Sequence, residues 1–218
     1  MKKIIAMLAG ATMMMSCGAN QSQEESSTIK VGGMGPLTGS AAMYGITVDK
    51  GAKLAFEEIN ANGGVLGKKF EYISLDEKAD PIEAVNAYNK LTDEGVVAIL
   101  GSVTSKPTLA VAELVAQDRI PMITPTGTQI NITNAGPNIF RVCFTDPYQG
   151  STLAKFSKDK LGAKTAAIMV NTSSDYSDGI ANAFIKQAEK EGIKVVAKEG
   201  YSDGDKDFKA QLTKINSE

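Results

Sequence analysis

The chain contains no histidine in its 218 residues. That absence removes Ser-His-Asp and Cys-His nucleophilic systems, histidine-based zinc sites and the commonest general base together. No convincing acid pair or metal-ligand cluster takes their place, so neither an enzyme nor a cofactor is expected. Arginine is nearly missing as well, with Arg119 and Arg141 the two in the chain, and 23 basic residues are offset by 25 acidic ones. Nucleic acid and other polyanions call for a basic, arginine-rich surface, and no such partner is expected here. Cysteine is limited to Cys17 and Cys143. If Cys17 is modified, Cys143 is alone and no internal disulfide can form.

What is present begins with an address. Met1-Lys2-Lys3 is a short basic start, Ile4 to Met15 is an apolar run, and Ser16-Cys17 closes it. The run is too short to span a bilayer as a lasting helix, and a small residue before a cysteine suits cleavage and lipidation. Met14-Met15-Ser16-Cys17 resembles a lipobox with methionine where leucine is preferred, so residues 1–16 are expected to be a lipoprotein signal and Cys17 the lipidated residue. A signal cut elsewhere would leave Cys17 without a role. Residues 17–28, rich in Ser, Gln and Glu, carry too little apolar surface to fold and are expected to be a flexible tether. The expected location is the cell envelope, with the protein membrane-anchored and facing the periplasm or the cell exterior.

Beyond the tether the pattern alternates strand and helix. Thr28 to Met34 is a predicted strand; Thr47 to Asn60, with Val48, Ala52, Ala55, Phe56 and Ile59 at helical spacing, a helix; and Lys69 to Leu75 a strand. Asp80-Pro81-Ile82-Glu83 opens the next helix with a capping residue and a proline at the first helical position. Val96 to Leu100 and Pro121 to Pro125 are short apolar strands of the kind found in a parallel sheet covered on both faces, with a helix from Lys106 to Gln117 between them. Phe140 to Phe144 is expected to cross between lobes. A second series then follows: helix Pro147 to Leu161, strand Lys164 to Val170, helix Ser177 to Glu191, strand Lys194 to Gly200 and helix Asp207 to Ile215. The fold class is therefore α/β, with a first lobe over 29–145 and a second, partial lobe over 146–218.

The glycine-rich spots do not make nucleotide sites. Gly33-Met34-Gly35-Pro36 lacks the third glycine of a dinucleotide fingerprint, and Pro36 removes an N–H. Gly63 to Lys69 has too few residues between its glycines for a P-loop and reads as a β-turn. The hydroxyl residues after the buried strands are more informative. Ser105, before Lys106-Pro107, can cap its helix; it either does only that or helps make a carboxylate or phosphate site at the helix N-terminus. Thr124, Thr126 and Thr128 follow the next strand at its carboxyl end, where ligands of open α/β sheets bind, although such hydroxyls can equally satisfy loop backbone. Tyr44 and Tyr176 each lie in a predicted loop soon after a strand, as packing residues or as pocket walls.

Several of these segments together carry a resemblance. The strand followed by Gly35-Pro36-Leu37-Thr38-Gly39, Tyr44-Gly45, the Glu57-Glu58-Ile59-Asn60 helix end before Gly63-Gly64, and Ile123-Thr124-Pro125 resemble the leucine-isoleucine-valine-binding proteins. These are periplasmic substrate receptors of ABC importers, and the likeness runs from about Ile29 to the last residue. The resemblance implies a type I periplasmic binding fold of two Rossmann-like lobes with parallel sheets, closing on one amino acid. By matched position, Ser105 would hold the ligand carboxylate, and Thr126 and Thr128 would take the ammonium and carboxylate. Val103 and Tyr44 would line the first-lobe side of the side-chain pocket and Tyr176 the second-lobe side. The implied partners are a small apolar amino acid and ABC permease subunits in the membrane; a ligand-sensing receptor of the same fold is the alternative. A disulfide of leucine-binding members has no counterpart here, because Ala79 and Thr104 occupy its positions. The acidic residue that neutralises the ligand ammonium in the family falls beyond residue 218, so the second lobe is expected to be incomplete.

Overall fold

A computed structural model describes residues 28–218. The signal sequence, Cys17 and nearly all of the tether lie outside the described residues. Strand β1 (Thr28–Gly35) leads into α1 (Ala42–Ala61), β2 (Lys69–Asp76), α2 (Pro81–Asp93), β3 (Ala98–Leu100), α3 (Ser105–Asp118), β4 (Met122–Thr124), a short α4 (Asn131–Asn134) and β5 (Ile139–Arg141). These strands form one sheet in the order β2-β1-β3-β4-β5, and every neighbouring pair is parallel. Helices α5 (Asp146–Asp159), α6 (Asp175–Lys190) and α7 (Lys209–Asn216) accompany a second, two-stranded parallel sheet of β6 (Thr165–Asn171) and β7 (Lys194–Tyr201).

Parallel pairing follows from the connections, since each strand returns through a helix that covers the sheet. On one face α2 and α3 bury Tyr88, Leu91, Val111 and Val115 against Ile99, Met122 and Ile139. Tyr88 is 30 positions from Asp118 in the chain, and its hydroxyl donates to that carboxylate at 2.6 Å, tying α2 to α3. On the other face α1 lays Phe56 against Phe70 and Tyr72, with ring centroids 5.0 and 5.1 Å apart. The second core is smaller: Ala154, Ala188 and Ile193 are buried, with Phe184 and Val195 around them.

The strongest predicted helix start is present as expected. Asp80 caps α2 by accepting the N–H groups of Ile82 at 2.8 Å and Glu83 at 3.0 Å, and Pro81 takes the first helical position. Gly63 to Lys69 forms a turn closed by the Val65–Lys68 bridge, with Gly64 at φ +78°.

Elsewhere the structure corrects the reading. Helix α1 starts at Ala42 rather than Thr47, because Gly45 lets the helix lie directly on the backbone of Pro36. Tyr44 therefore stands in the first turn of a helix, and Tyr176 likewise belongs to the first turn of α6. Ser105 is not a cap. Thr104 holds the cap position of α3 in extended conformation, and Ser105 is the first helical residue. The expected crossing strand over Phe140 to Phe144 is instead the edge strand β5, paired with β4, and the crossing is made by the segment that follows it.

Candidate ligand-binding site

Strand order places the site. β2 lies on one side of β1 and β3 on the other, so the loops leaving the carboxyl ends of β1 and β3 diverge and open a crevice. Three loops border it: 36–41 after β1, 101–104 after β3 and 125–130 after β4. Polar bonds lock them together. The Ser102 carbonyl accepts the hydroxyls of Thr108 at 3.0 Å and Thr124 at 2.7 Å, and the Thr124 hydroxyl in turn accepts the Gly127 N–H at 3.0 Å. The Thr126 hydroxyl donates to the Val103 carbonyl. The Ser105 hydroxyl accepts the Gln129 N–H at 3.4 Å. Asp76 holds the first loop, accepting from Leu37 N–H at 2.8 Å and the Thr38 hydroxyl at 2.6 Å.

These bonds determine which groups remain for a ligand. Ser105 is 6% exposed and, having accepted from Gln129, keeps its own proton to donate. The first turn of α3 offers the N–H groups of Ser105 and Lys106 but none from Pro107, and Thr104 makes no capping bond across it. The Thr126 hydroxyl is committed to Val103, while its main-chain carbonyl accepts no hydrogen bond among the described residues. The Thr104 and Thr128 hydroxyl oxygens are buried without a hydrogen-bond partner. The Val103 side chain is buried and packed against Gly35. Tyr44 and Tyr176 are both exposed, and Tyr176 bonds Gln149 of α5 at 3.2 Å through its hydroxyl. The two lobes meet where the Lys106 ammonium donates to the Ser173 carbonyl at 3.4 Å, bringing the N-terminal ends of α3 and α6 near one another.

Residues 28–218 match the family described as periplasmic binding protein. The chain belongs to that family. It is 37% identical over 191 residues to the Leu/Ile/Val-binding protein BraC3 of Rhizobium johnstonii, an alignment covering 87% of this chain and 52% of BraC3. The leucine-binding protein LivK of Thermotoga maritima superposes with a TM-score of 0.81 at 36% identity, covering 87% of this chain and 53% of LivK. The branched-chain amino acid transporter substrate-binding protein LivJ of Streptococcus pneumoniae, solved in complex with isoleucine, gives 0.80 at 36% identity, covering 88% of this chain and 54% of LivJ. This periplasmic binding protein chain thus spans about half the length of the relatives it matches, and its α/β fold is that of the type I binding proteins.

Three charged residues that sequence reading did not single out for the site shape its electrostatics. Glu77 is fully buried and accepts the Ser102 hydroxyl at 3.0 Å, while its second oxygen has no partner. Burial pushes its carboxyl up to about 7 against the opposing bond from Ser102. Arg141 reaches back from β5 to the carbonyls of Gly127 at 3.1 Å, Gln129 at 2.9 Å and Ile130 at 3.1 Å, fixing the loop that carries Thr128. Asp146 is 2% exposed at the start of α5, and burial raises its carboxyl while Thr128 and Arg141 oppose the shift. Sequence offered a weak clue to Arg141, since a lone arginine after a short apolar strand is unusual in so arginine-poor a chain. For Glu77 it offered none. Among the described residues no group of His, Cys, Asp and Glu is arranged to hold a metal ion, and no helix is long and apolar enough to cross a membrane.

Proposed function

We propose that this chain belongs to an extracytoplasmic substrate-binding lipoprotein of an ABC importer, which captures a branched-chain or related apolar amino acid and delivers it to the permease. The observation that carries this reading is the meeting, in one crevice, of the N-terminal N–H groups of α3, the Ser105 hydroxyl and the buried, unpartnered Thr128 hydroxyl. Helix N–H groups and a hydroxyl donor suit a carboxylate. The Thr126 carbonyl and the Thr128 hydroxyl oxygen suit an ammonium, so the set fits the two charged ends of an amino acid. Tyr44 and Tyr176, exposed on opposite lobes, would close over the side chain, with Val103 supporting the floor. Contacts shared by both lobes favour the closed form, and closure is what the permease would read. The amino acids for which BraC3, LivK and LivJ are named support the same ligand class.

A thermal-shift screen of the twenty amino acids on the full-length product of the reading frame containing these residues tests the proposal. Leucine, isoleucine or valine should raise the melting temperature, because a ligand bound only by the native state stabilises it. No shift with any apolar amino acid would sink the reading. The lipid anchor is tested separately: Cys17→Ala should release the protein from membranes or block its processing, and unchanged fractionation would place the anchor elsewhere.

A further inference from the structure

We propose that the turn between α1 and β2 is a membrane contact, with the Leu66 side chain entering the lipid surface beside Lys68 and Lys69. This inference rests on the lipid-anchor reading given above. Its first support is the turn itself. Val65 and Lys68 close it through two backbone bonds, the Val65 N–H on the Lys68 carbonyl at 2.8 Å and the Lys68 N–H on the Val65 carbonyl at 2.9 Å. The central residues Leu66 and Gly67 have φ of +52° and +77°. Positive φ at both is the pattern of a type I′ turn, for which Asn-Gly is the favoured pair. Leucine is disfavoured in that backbone region, and at 95% exposure it gains no burial to offset the strain. The turn is also firmly held: the Asn60 side chain bonds the N–H and the carbonyl of Phe70 at 2.7 and 2.8 Å, fastening the end of α1 to β2. Single exposed leucines are common on protein surfaces, but this one is held outward by a backbone that suits another residue.

The second support is position. β1 and β2 run parallel and Thr28 pairs with Lys69, so the turn lies at the end of the lobe where the chain from Cys17 enters. The stretch from Cys17 to Thr28 can span at most about 40 Å, and lipid on Cys17 would keep this end of the lobe within that distance of the bilayer. Val97, 57% exposed at the entrance to β3, lies at the same end, its N–H on the Lys30 carbonyl at 2.9 Å. Lysines beside an inserted leucine can lay their stems along apolar surface and direct their ammonium groups to lipid phosphates. Glu71 and Glu94 at this end offset them, so the leucine and not charge alone selects the occupant. One leucine makes a weak contact, since interfacial binding scales with the apolar area buried. The anchor makes that contact intramolecular, which raises its occupancy without making it permanent. The eight residues of β1 then hold the crevice roughly 25 Å above the lipid, open to solvent for capture, and delivery would require release of the turn.

The test places the full-length lipidated protein in vesicles of phosphatidylethanolamine and phosphatidylglycerol. With Cys143→Ser removing the other thiol, an environment-sensitive fluorophore is attached at Val65→Cys, leaving Leu66 intact. Its emission should move to the blue, and lipids with nitroxide near the headgroup should quench it. A fluorophore at Ile82→Cys, 73% exposed at the start of α2 and so at the opposite end of β2, should show neither effect. Adding Leu66→Asn to Val65→Cys should abolish both. In the lipid-free Cys17→Ala background, Leu66→Asn should melt no lower than its parent, because Asn-Gly suits the turn. A lowered melting temperature would show that Leu66 serves the fold and would overturn the proposal. So would a Val65→Cys signal that is unchanged by vesicles or by Leu66→Asn. A response that grows with protein concentration without vesicles would identify a second copy as the occupant, which also overturns it. The mass of the N-terminal peptide reports the lipid independently: an unmodified Cys17 refutes the anchor and the contact with it, an outcome separable from an anchored protein whose turn stays in water.

Discussion

Glu77 shows how one side chain serves the site at a cost to the fold. Its carboxyl sits fully buried behind the loop after β3, where it holds the Ser102 hydroxyl whose residue also anchors Thr108 and Thr124 through its carbonyl. Burial raises it from 4.5 to about 7. For a carboxyl raised in the folded state, the favourable contribution is complete below the unfolded value and is lost as pH rises through the folded one. That shift corresponds to roughly 3 kcal/mol at alkaline pH. Glu77→Gln keeps an acceptor for Ser102 and carries no charge. Urea unfolding should therefore find the variant and wild type within about 0.5 kcal/mol near pH 4, and the variant more stable by roughly 3 kcal/mol near pH 8.5. A gap that does not grow between those pH values would show that Glu77 is solvated in solution. Ser105 was legible in sequence as a polar group at a helix start but not as the first helical residue, because Thr104 beside it has the same capping chemistry. Arg141 was legible only weakly, as an arginine in an arginine-poor chain, and Asp146 not at all. Their roles depend on carbonyls and a hydroxyl more than ten positions away, which no local pattern exposes.

At the scale of elements, what decided legibility was whether a side chain or the backbone sets an element's end. α2 was readable because Asp80 and Pro81 mark its start chemically. α1 was misjudged by about a turn because its start has no capping side chain and is fixed instead by contact with Pro36. Gly45 is the residue that permits that contact: a Cβ there would come within 2.0 Å of the Pro36 carbonyl oxygen. Gly51, in the same helix, has open space around it and faces solvent. The two glycines should respond in opposite ways to alanine. Gly51→Ala should stabilise the protein by about 0.5–1 kcal/mol through helix propensity. Gly45→Ala should destabilise it by about 1–3 kcal/mol, as overpacking against backbone does. Chemical denaturation of both variants checks the pair, and a stabilising Gly45→Ala would mean that α1 begins later, as the sequence suggested.

Over the whole molecule, the alternation of strand and helix was legible because the apolar strands and amphipathic helices differ in period, and the parallel pairing of the five strands follows from that alternation, whereas their order does not. The unequal strength of the lobes was less visible. The first core buries Tyr88, Leu91, Val111, Val115 and Met122, whereas the second rests on Ala154, Ala188 and Ile193 beside a two-stranded sheet. Hydrogen exchange on these 218 residues should find slow amides in β3, β4, α2 and α3 and faster ones in β6 and β7. Uniform protection would show that the smaller sheet is held as firmly as the larger.

In the proposed function the start of α3 and the loop after β4 together grip the charged end of an amino acid. Titration calorimetry of leucine into full-length wild type and Ser105→Ala measures this most directly. In the proposed function Ser105 gives a side-chain proton to the carboxylate, and its loss should weaken leucine binding by about tenfold or more, as expected for a hydrogen bond to a charged group. Wild-type binding with Ser105→Ala affinity unchanged within about twofold, under about 0.5 kcal/mol, would contradict the site.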